Sequence, residues 1–520
     1  MKRRLTACLL AGALLVSGSV GLTQAAVGSD SSTLRNAVTV EGILEHLEAL
    51  DAIAAANDNT RVDDSPGFEA SVDYVIERLA AAGYGVQLQP FEFDAFVSHN
   101  TTLERISPQP RVYVEGFNED FVVSEFSPSG NVTAPVTPVD VVVPIGSNPP
   151  GTSTSGCEAA DFASFPPGTI ALLQRGTCNF SVKAENAEAA GAVGVLLFNE
   201  GQPNIPDDDR VGVINATLGE PGVVAIPVFD TSYANGAELV ELSRNSGPVT
   251  LHMQTTAEFK TFHSTNVIAE TASGRADRVV LLGAHLDSVT EGPGINDNGS
   301  GAATILEIAE AIADEGIAPR NKIRFAFWGG EEFGLLGAQY YVDTATNQEL
   351  NRIAVNLNFD MVASPNYVRF LYDGDGSTTG AKGPSGSGNI EKVFTDYFAS
   401  VGLASEPTAF DGRSDYGPFI AVGIPAGGLF TGAEDIKTAE EADIYGGVAG
   451  EPYDECYHSA CDTIENVNVT ALDQMSDAAA HATWAFAFTT SSPNGTQKAS
   501  AKAMEAGLAK LLWRGNHRQR

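Results

Sequence analysis

The pattern of hydrophobic and polar positions changes period several times along the chain, and each change predicts a different element. Val40, Ile43, Leu44, Leu47 and Leu50 recur at helical spacing, as do Val72, Val75, Ile76 and Leu79, after which Val86, Leu88 and Phe91 alternate. Two helices and a strand are predicted over residues 38–95. Residues 127–150, rich in Pro, Gly and Val, mark a boundary. Beyond it, apolar strand-like runs at 169–173 and 193–198 flank a helix predicted over 181–190. This second unit, over 130–254, has no cluster of His with carboxylates and reads as non-catalytic. From about residue 264 the pattern becomes one of buried strands ending in polar residues, at 278–284, 322–328 and 352–359, with an apolar-faced helix over 302–312. Strand, helix and strand in alternation predict an α/β fold, its central, mostly parallel mixed sheet flanked by helices, with a smaller β-rich unit inserted. A ligand site in such a sheet lies beyond the carboxyl ends of the strands.

The expected division is therefore 1–26 as a leader, 27–129 as the first part of the main unit, 130–254 as the insertion, 255–490 as the rest of the main unit, and 491–520 as a tail. Met1-Lys2-Arg3-Arg4, an apolar run over 9–16 and small residues around Ala25 and Ala26 have the layout of a secretory signal peptide. The run is short of the roughly 20 residues of a spanning helix, and no later stretch is long enough, so an exported protein without stable membrane insertion is expected. The tail is basic, with Lys498, Lys502, Lys510, Arg514, Arg518 and Arg520 against Glu505. Met504, Leu508, Leu511 and Leu512 give it one apolar helical face, which fits a removable propeptide capping a cleft as well as a simple tail. At 520 residues and 43% apolar composition, two folded units are the starting expectation. A formal charge of −36 excludes nucleic acid as a partner, because phosphate binding needs basic patches. Cys8 falls in the leader; of the remaining four cysteines, proximity pairs Cys157 with Cys178 and Cys456 with Cys461 as disulfides of an exported chain.

Chemistry gathers at the strand ends. The first strand of the main sheet runs into Ala284-His285-Leu286-Asp287-Ser288 and a Gly-rich loop containing Asp297; the second runs into Gly330-Glu331-Glu332-Phe333-Gly334; the third into Asn358-Phe359-Asp360-Met361. Carboxylates gathered at one sheet edge repel unless cations hold them. Imidazole and carboxylate ligands without thiolate suit zinc, and also cobalt or manganese. Three carboxylates with a bridging hydroxide carry four negative charges, which two divalent ions neutralise. Such a pair of ions activates a shared water and polarises a carbonyl. Glu331, next to the proposed ligand Glu332, can face the same cleft without binding metal, as a general base must. Asp287, two residues after His285, stands where a carboxylate would orient the imidazole. A second histidine, His458, comes from Cys456-Tyr457-His458-Ser459-Ala460-Cys461, a loop short enough for a disulfide to restrict.

Together these motifs resemble the secreted zinc aminopeptidases of the M28 peptidase family, the Streptomyces griseus and Aeromonas type, with a protease-associated (PA) domain inserted. The resemblance covers about residues 38–490, and its PA part rests on Gly168-Thr169-Ile170-Ala171-Leu172-Leu173-Gln174-Arg175-Gly176-Thr177-Cys178 and the Ala-rich helix after it. It implies a zinc exopeptidase fold and two zinc ions, with Asp297 bridging, His285 and Asp360 completing one position, and Glu332 and His458 the other. It further implies Glu331 as base and Tyr457 as a hydrogen-bond donor to the tetrahedral intermediate. The substrate's amine would be held near Arg413, and an apolar pocket including Met361 and Phe430 would favour Leu, Met or Phe at the N-terminus of a peptide or protein. Asp473 and Asp477 match a calcium site in some relatives, and a helix-capping or surface role fits them equally well. A monomer acting on peptide N-termini is expected. The rivals are a carboxypeptidase or glutaminyl cyclase of the same fold, and a receptor that has lost catalysis, as transferrin receptors have.

Overall fold

The computed structural model describes residues 30–116, 119–203 and 209–490; the expected leader and basic tail lie outside them. Helices Val40–Ala56 and Pro66–Ala81 begin where the sequence supplies caps: the Thr39 hydroxyl accepts from the Gly42 amide and the Ser65 hydroxyl from the Phe68 amide, with Pro66 at the first turn. They lead into β1 (Gly85–Ser107), β2 (Arg111–Val112), β3 (Phe121–Val123), β4 (Gly130–Pro138), β5 (Ile170–Gln174), β6 (Gly194–Phe198) and β7 (Val228–Thr231). Then come β8 (Thr250–Glu270), β9 (Arg275–His285), β10 (Asn321–Trp328), β11 (Ile353–Phe359), β12 (Phe370–Tyr372), β13 (Glu406–Thr408) and β14 (Ala426–Phe430).

The hydrogen-bonded order is β13-β12-β14-β11-β9-β10-β8-β4-β5-β6-β7-β3, with β1 paired to β8. In the main unit β14, β11, β9 and β10 run parallel, β8 is antiparallel to β10, and β12 is antiparallel to β14 and parallel to β13. The apolar runs of β9, β10 and β11 are buried on both faces, as parallel strands covered by helices must be. Their largest core takes Ile43, Leu47 and Leu50 from the first long helix, and Ile305, Leu306 and Ile308 from the helix Gly301–Asp314. The latter helix was expected over 302–312 and forms at that place.

In the second unit β4, β5, β6 and β7 are parallel, with helices Phe180–Ala189 and Tyr233–Asn245 beside them, and two smaller cores lie between these elements. Two features of the chain path were not legible beforehand. β1 continues far past Phe91 and stays paired with β8 along nearly its whole length. The boundary expected at residue 254 falls inside β8, one unbroken strand that pairs with β4 at one end and β10 at the other. Likewise β3, before residue 130, pairs with β7 of the second unit.

Candidate metal centre at the strand ends

Because β9, β10 and β11 are adjacent and parallel, with Trp328 opposite His285 and Asn358 opposite Gly283, the residues that follow them emerge at one edge of the sheet. His285 ends β9; Glu331 and Glu332 follow β10 after two glycines; Asp360 follows β11. Asp297 comes from the turn before the helix Gly301–Asp314, where it has a non-helical conformation (φ −107°, ψ 93°). Gly294 makes that turn with φ 62°, and a Cβ there would lie 2.3 Å from the Asp297 carbonyl oxygen. His458 is brought in by the Cys456–Cys461 loop, closed by a disulfide; the other pair, Cys157–Cys178, is also bonded.

These side chains converge. His285 Nε2 stands 3.3 Å from Asp297 Oδ1 and 3.5 Å from Asp360 Oδ1, while His458 Nε2 stands 3.2 Å from Asp297 Oδ2 and 3.1 Å from Glu332 Oε2. The two oxygens of Asp297 thus face two different imidazoles. Glu331 Oε2 lies 3.9 Å from His285 Nε2. Buried Oε1 of Glu332 and Oδ1 of Asp360 lack a hydrogen-bond partner among the described residues. Four buried carboxylates around two imidazoles, with orphaned oxygens turned inward, form a donor set that fits divalent cations.

The electrostatics follow from this crowding. Burial alone would lower the imidazole of His285, but Glu331 and Asp360 beside it carry it well above its usual range; for His458, Glu332 and Asp297 do the same. Burial pushes the Glu332 carboxyl up to about 7 and raises Glu331 well above the ordinary carboxylate range, with Glu332, Asp415 and Asp360 adding to the latter shift. Burial would raise Asp297 too, yet the two imidazoles hold it below its usual value.

The surrounding positions differ in detail from the sequence expectation. His285 Nδ1 lies 3.1 Å from the Asp287 carbonyl oxygen and 3.6 Å from its carboxylate, whose other oxygen accepts from the Glu332 amide at 3.2 Å. Tyr457 stacks on the ring of His458, with centroids 3.8 Å apart. Arg413 donates to Glu434 at 2.9 Å and is close enough to Tyr457 to act on its hydroxyl electrostatically. Met361 is buried and Phe430 partly so, the latter stacked on Phe370; they follow and end the paired strands β11 and β14. Asp477 receives the Tyr397 hydroxyl at 3.1 Å and faces Arg35 at 3.5 Å, so a cation of the chain itself stands at that carboxylate; Asp473 gives its carbonyl to Ser476.

Several supporting residues carried no sequence signal. The Arg61 guanidinium, fully buried, donates to the carbonyls of Leu286, Pro293 and Gly294, clamping the loop between His285 and Asp297. Asp462 accepts from the amides of Asn296 and Asp297. Asp63 accepts from the Gly330 amide, and the Ser414 hydroxyl donates to Asp360. Ser414 lies in the segment singled out around Arg413; the others are single polar residues with no spacing rule to mark them.

Residues 266–483 match Peptidase family M28, and residues 132–239 match the PA domain. An aminopeptidase of Pseudomonas aeruginosa is 48% identical over 471 residues, covering 90% of this chain and 83% of that protein. Leucine aminopeptidase 2 of Arthroderma otae is 36% identical over 463 residues, covering 88% of this chain and 86% of the other. Among solved structures, the aminopeptidase from Aneurinibacillus sp. strain AM-1 shares the fold with a TM-score of 0.62 at 24% identity, over 88% of this chain and 96% of that one. The zinc aminopeptidase BSAP from Bacillus subtilis does so with a TM-score of 0.60 at 23% identity, over 88% and 98%. On this evidence the chain belongs to peptidase family M28 and is a metallo-aminopeptidase that carries a PA domain.

Proposed function

We propose that the chain is an exported dizinc aminopeptidase that removes large apolar residues, Leu foremost, from the N-termini of peptides and proteins. The reading is carried by Asp297, whose two carboxylate oxygens face His285 at 3.3 Å and His458 at 3.2 Å. In it, His285, Asp297 and Asp360 hold one ion and Asp297, Glu332 and His458 the other. Zinc, when bound, supplies Lewis acidity that polarises the scissile carbonyl and lowers the pKa of water.

The chain's own groups do the rest. Glu331, which burial pushes toward the protonated form and two neighbouring cations would return to the carboxylate, accepts the proton of the attacking water and passes it to the departing amine. Tyr457, raised well above its usual pKa chiefly by burial and so a proton donor at neutral pH, donates to the developing oxyanion. Asp287 orients His285, Arg413 lies beside the position of the substrate's amine, and Met361 and Phe430 line the pocket for the first side chain. Calcium at Asp473 and Asp477 is not part of this reading, because Arg35 already faces Asp477. The leader over 1–26 would direct export; among the described residues no helix is long and apolar enough to cross a membrane. The insertion over 130–254 would act as a cover beside the cleft, and the enzyme as a monomer.

Glu331→Gln tests the assignment. Zinc content equal to wild type with hydrolysis of leucine p-nitroanilide reduced at least about 100-fold supports Glu331 as base; near wild-type activity sinks it. Cleavage of an N-acetylated analogue at a rate like that of the free amine would rule out action on free N-termini.

A further inference from the structure

A second group of metal-ligating side chains lies away from the strand ends, where the helix Val40–Ala56 crosses the helix Gly301–Asp314. His46 is wholly buried there among the apolar residues of the main core. Its Nδ1 lies 2.8 Å from the Tyr74 hydroxyl, while Nε2 has no hydrogen-bond partner among the described residues and faces Glu307 Oε2 at 3.7 Å and Glu310 Oε2 at 3.8 Å. These separations are too long for hydrogen bonds. They are close to the 3.1–3.5 Å that separates the corresponding His and carboxylate atoms at the strand ends. An ion about 2.0–2.1 Å from each of two ligands sets them about 3.7 Å apart when the angle at the ion is near 130°.

Each ligand has a further partner that holds it in place. Glu307 Oε1 accepts from the Thr39 amide and hydroxyl at 3.2 and 3.3 Å, and both Glu310 oxygens accept from Arg78 at 2.6 Å. In the tautomer whose Nδ1–H donates to Tyr74, Nε2 turns its lone pair toward the carboxylates, as a histidine ligand does. Gly42 leaves the room that the Glu307 carboxylate occupies; a Cβ there would come within 2.3 Å of Oε1. Arg78 is the guanidinium that pairs with this cluster, and it is shared with Glu45 at 3.1 Å. Glu307 and Glu310 against Arg78 leave a net negative charge facing the imidazole, which attracts a cation; Glu45, 67% exposed, is screened by solvent. The Glu307 and Glu310 side chains keep 12% and 16% of their surface in solvent, so both carboxylates touch water.

We infer that His46, Glu307 and Glu310 form an additional, structural site for a divalent transition ion of the zinc class, pinning the first long helix to the helix whose preceding turn presents Asp297. The site is independent of the catalytic reading, and the test separates them. Protein stripped with a chelator and dialysed against zinc alone is analysed for metal: wild type should retain one zinc per chain more than His46→Gln, with unchanged specific activity in that variant. Asp297→Ala, which breaks the bridging residue, should still bind one zinc that is lost when His46→Gln is added. Equal zinc content in wild type and His46→Gln overturns the inference. Should His46→Gln fail to give a folded circular dichroism spectrum, Glu307→Gln replaces it, and an undiminished zinc count in that variant overturns the inference equally.

Discussion

The amides of Asn296 and Asp297 both donate to the carboxylate of Asp462, at 2.8 and 2.9 Å, and all three residues are buried. Asp462 binds no substrate or metal in this reading, yet it fixes the turn from which Asp297 reaches both imidazoles. Removing it leaves two buried N–H groups without an acceptor, a loss of about 3 kcal/mol if each unsatisfied group costs about 1.5 kcal/mol. Asp462→Ala should therefore lower the urea-unfolding free energy by that amount and weaken zinc retention, while Asp462→Asn, which keeps one acceptor oxygen, should lose less. Unchanged stability in the alanine variant would mean that water replaces the carboxylate. Arg61 acts in the same manner with the opposite charge, since its guanidinium ends on three backbone carbonyls of the adjoining loop. Neither residue was legible in the sequence. A buried charge satisfied by backbone groups leaves no pattern of partner side chains to find.

At the scale of elements, the two disulfides make opposite demands. Cys157–Cys178 closes a loop of sequence separation 21 in the second unit, and Cys456–Cys461 one of separation 5 that carries His458. Loop-closure entropy assigns them about 3 and about 2 kcal/mol. Replacing Cys157 and Cys178 by Ser should thus cost the more stability and leave zinc affinity and peptidase activity near wild type. Replacing Cys456 and Cys461 should cost less stability but weaken zinc binding, because an unrestricted His458 must be ordered anew by each ion. Competition with a chromogenic chelator reads the affinities, and thermal melts read the stabilities; equal zinc affinity in both double variants would contradict this division. The buried strands β9, β10 and β11 and the helix after Asp297 were predicted within a few residues, because an unbroken apolar run between polar ends has few alternatives. β1 beyond Phe91 was not, since much of it is exposed or only partly buried and the apolar alternation that marks a strand fades. Its extended form comes from its partner β8.

For the whole molecule, stability depends on pH through carboxylates enclosed by the fold. Asp230, at the heart of the second unit, accepts from the Ser124 hydroxyl at 2.6 Å and the Ala216 amide at 2.8 Å, and burial pushes it up to about 7 from an ordinary 3.8. A folded-state pKa above the unfolded value means that the stability linked to its proton is complete below about 3.8 and lost as pH rises to about 7. Between pH 5 and 8 this amounts to a loss on the order of 3 kcal/mol. The difference in unfolding free energy between wild type and Asp230→Asn, measured at pH 5 and pH 8, should shift by that order in favour of the variant at the higher pH. A difference independent of pH would show that Asp230 does not titrate in this range.

The division between what the chain's letters determined and what its folding decided follows from the range of the forces involved. Hydrophobic period, caps and turn chemistry act over a few residues, so strands, helices, the two cysteine pairs and the residues at the strand ends could be read directly, and the order of the motifs identified the family. Which carboxylate oxygen faces which imidazole, that Asp462 and Arg61 brace the loop of Asp297, that β8 joins both units, and that His46 meets Glu307 and Glu310 are matters of separations of up to hundreds of residues. Contacts of that kind exist only once the sheet has aligned its parallel strands and the helices have packed on it, because burial then sets the distances and removes the water that would otherwise screen them.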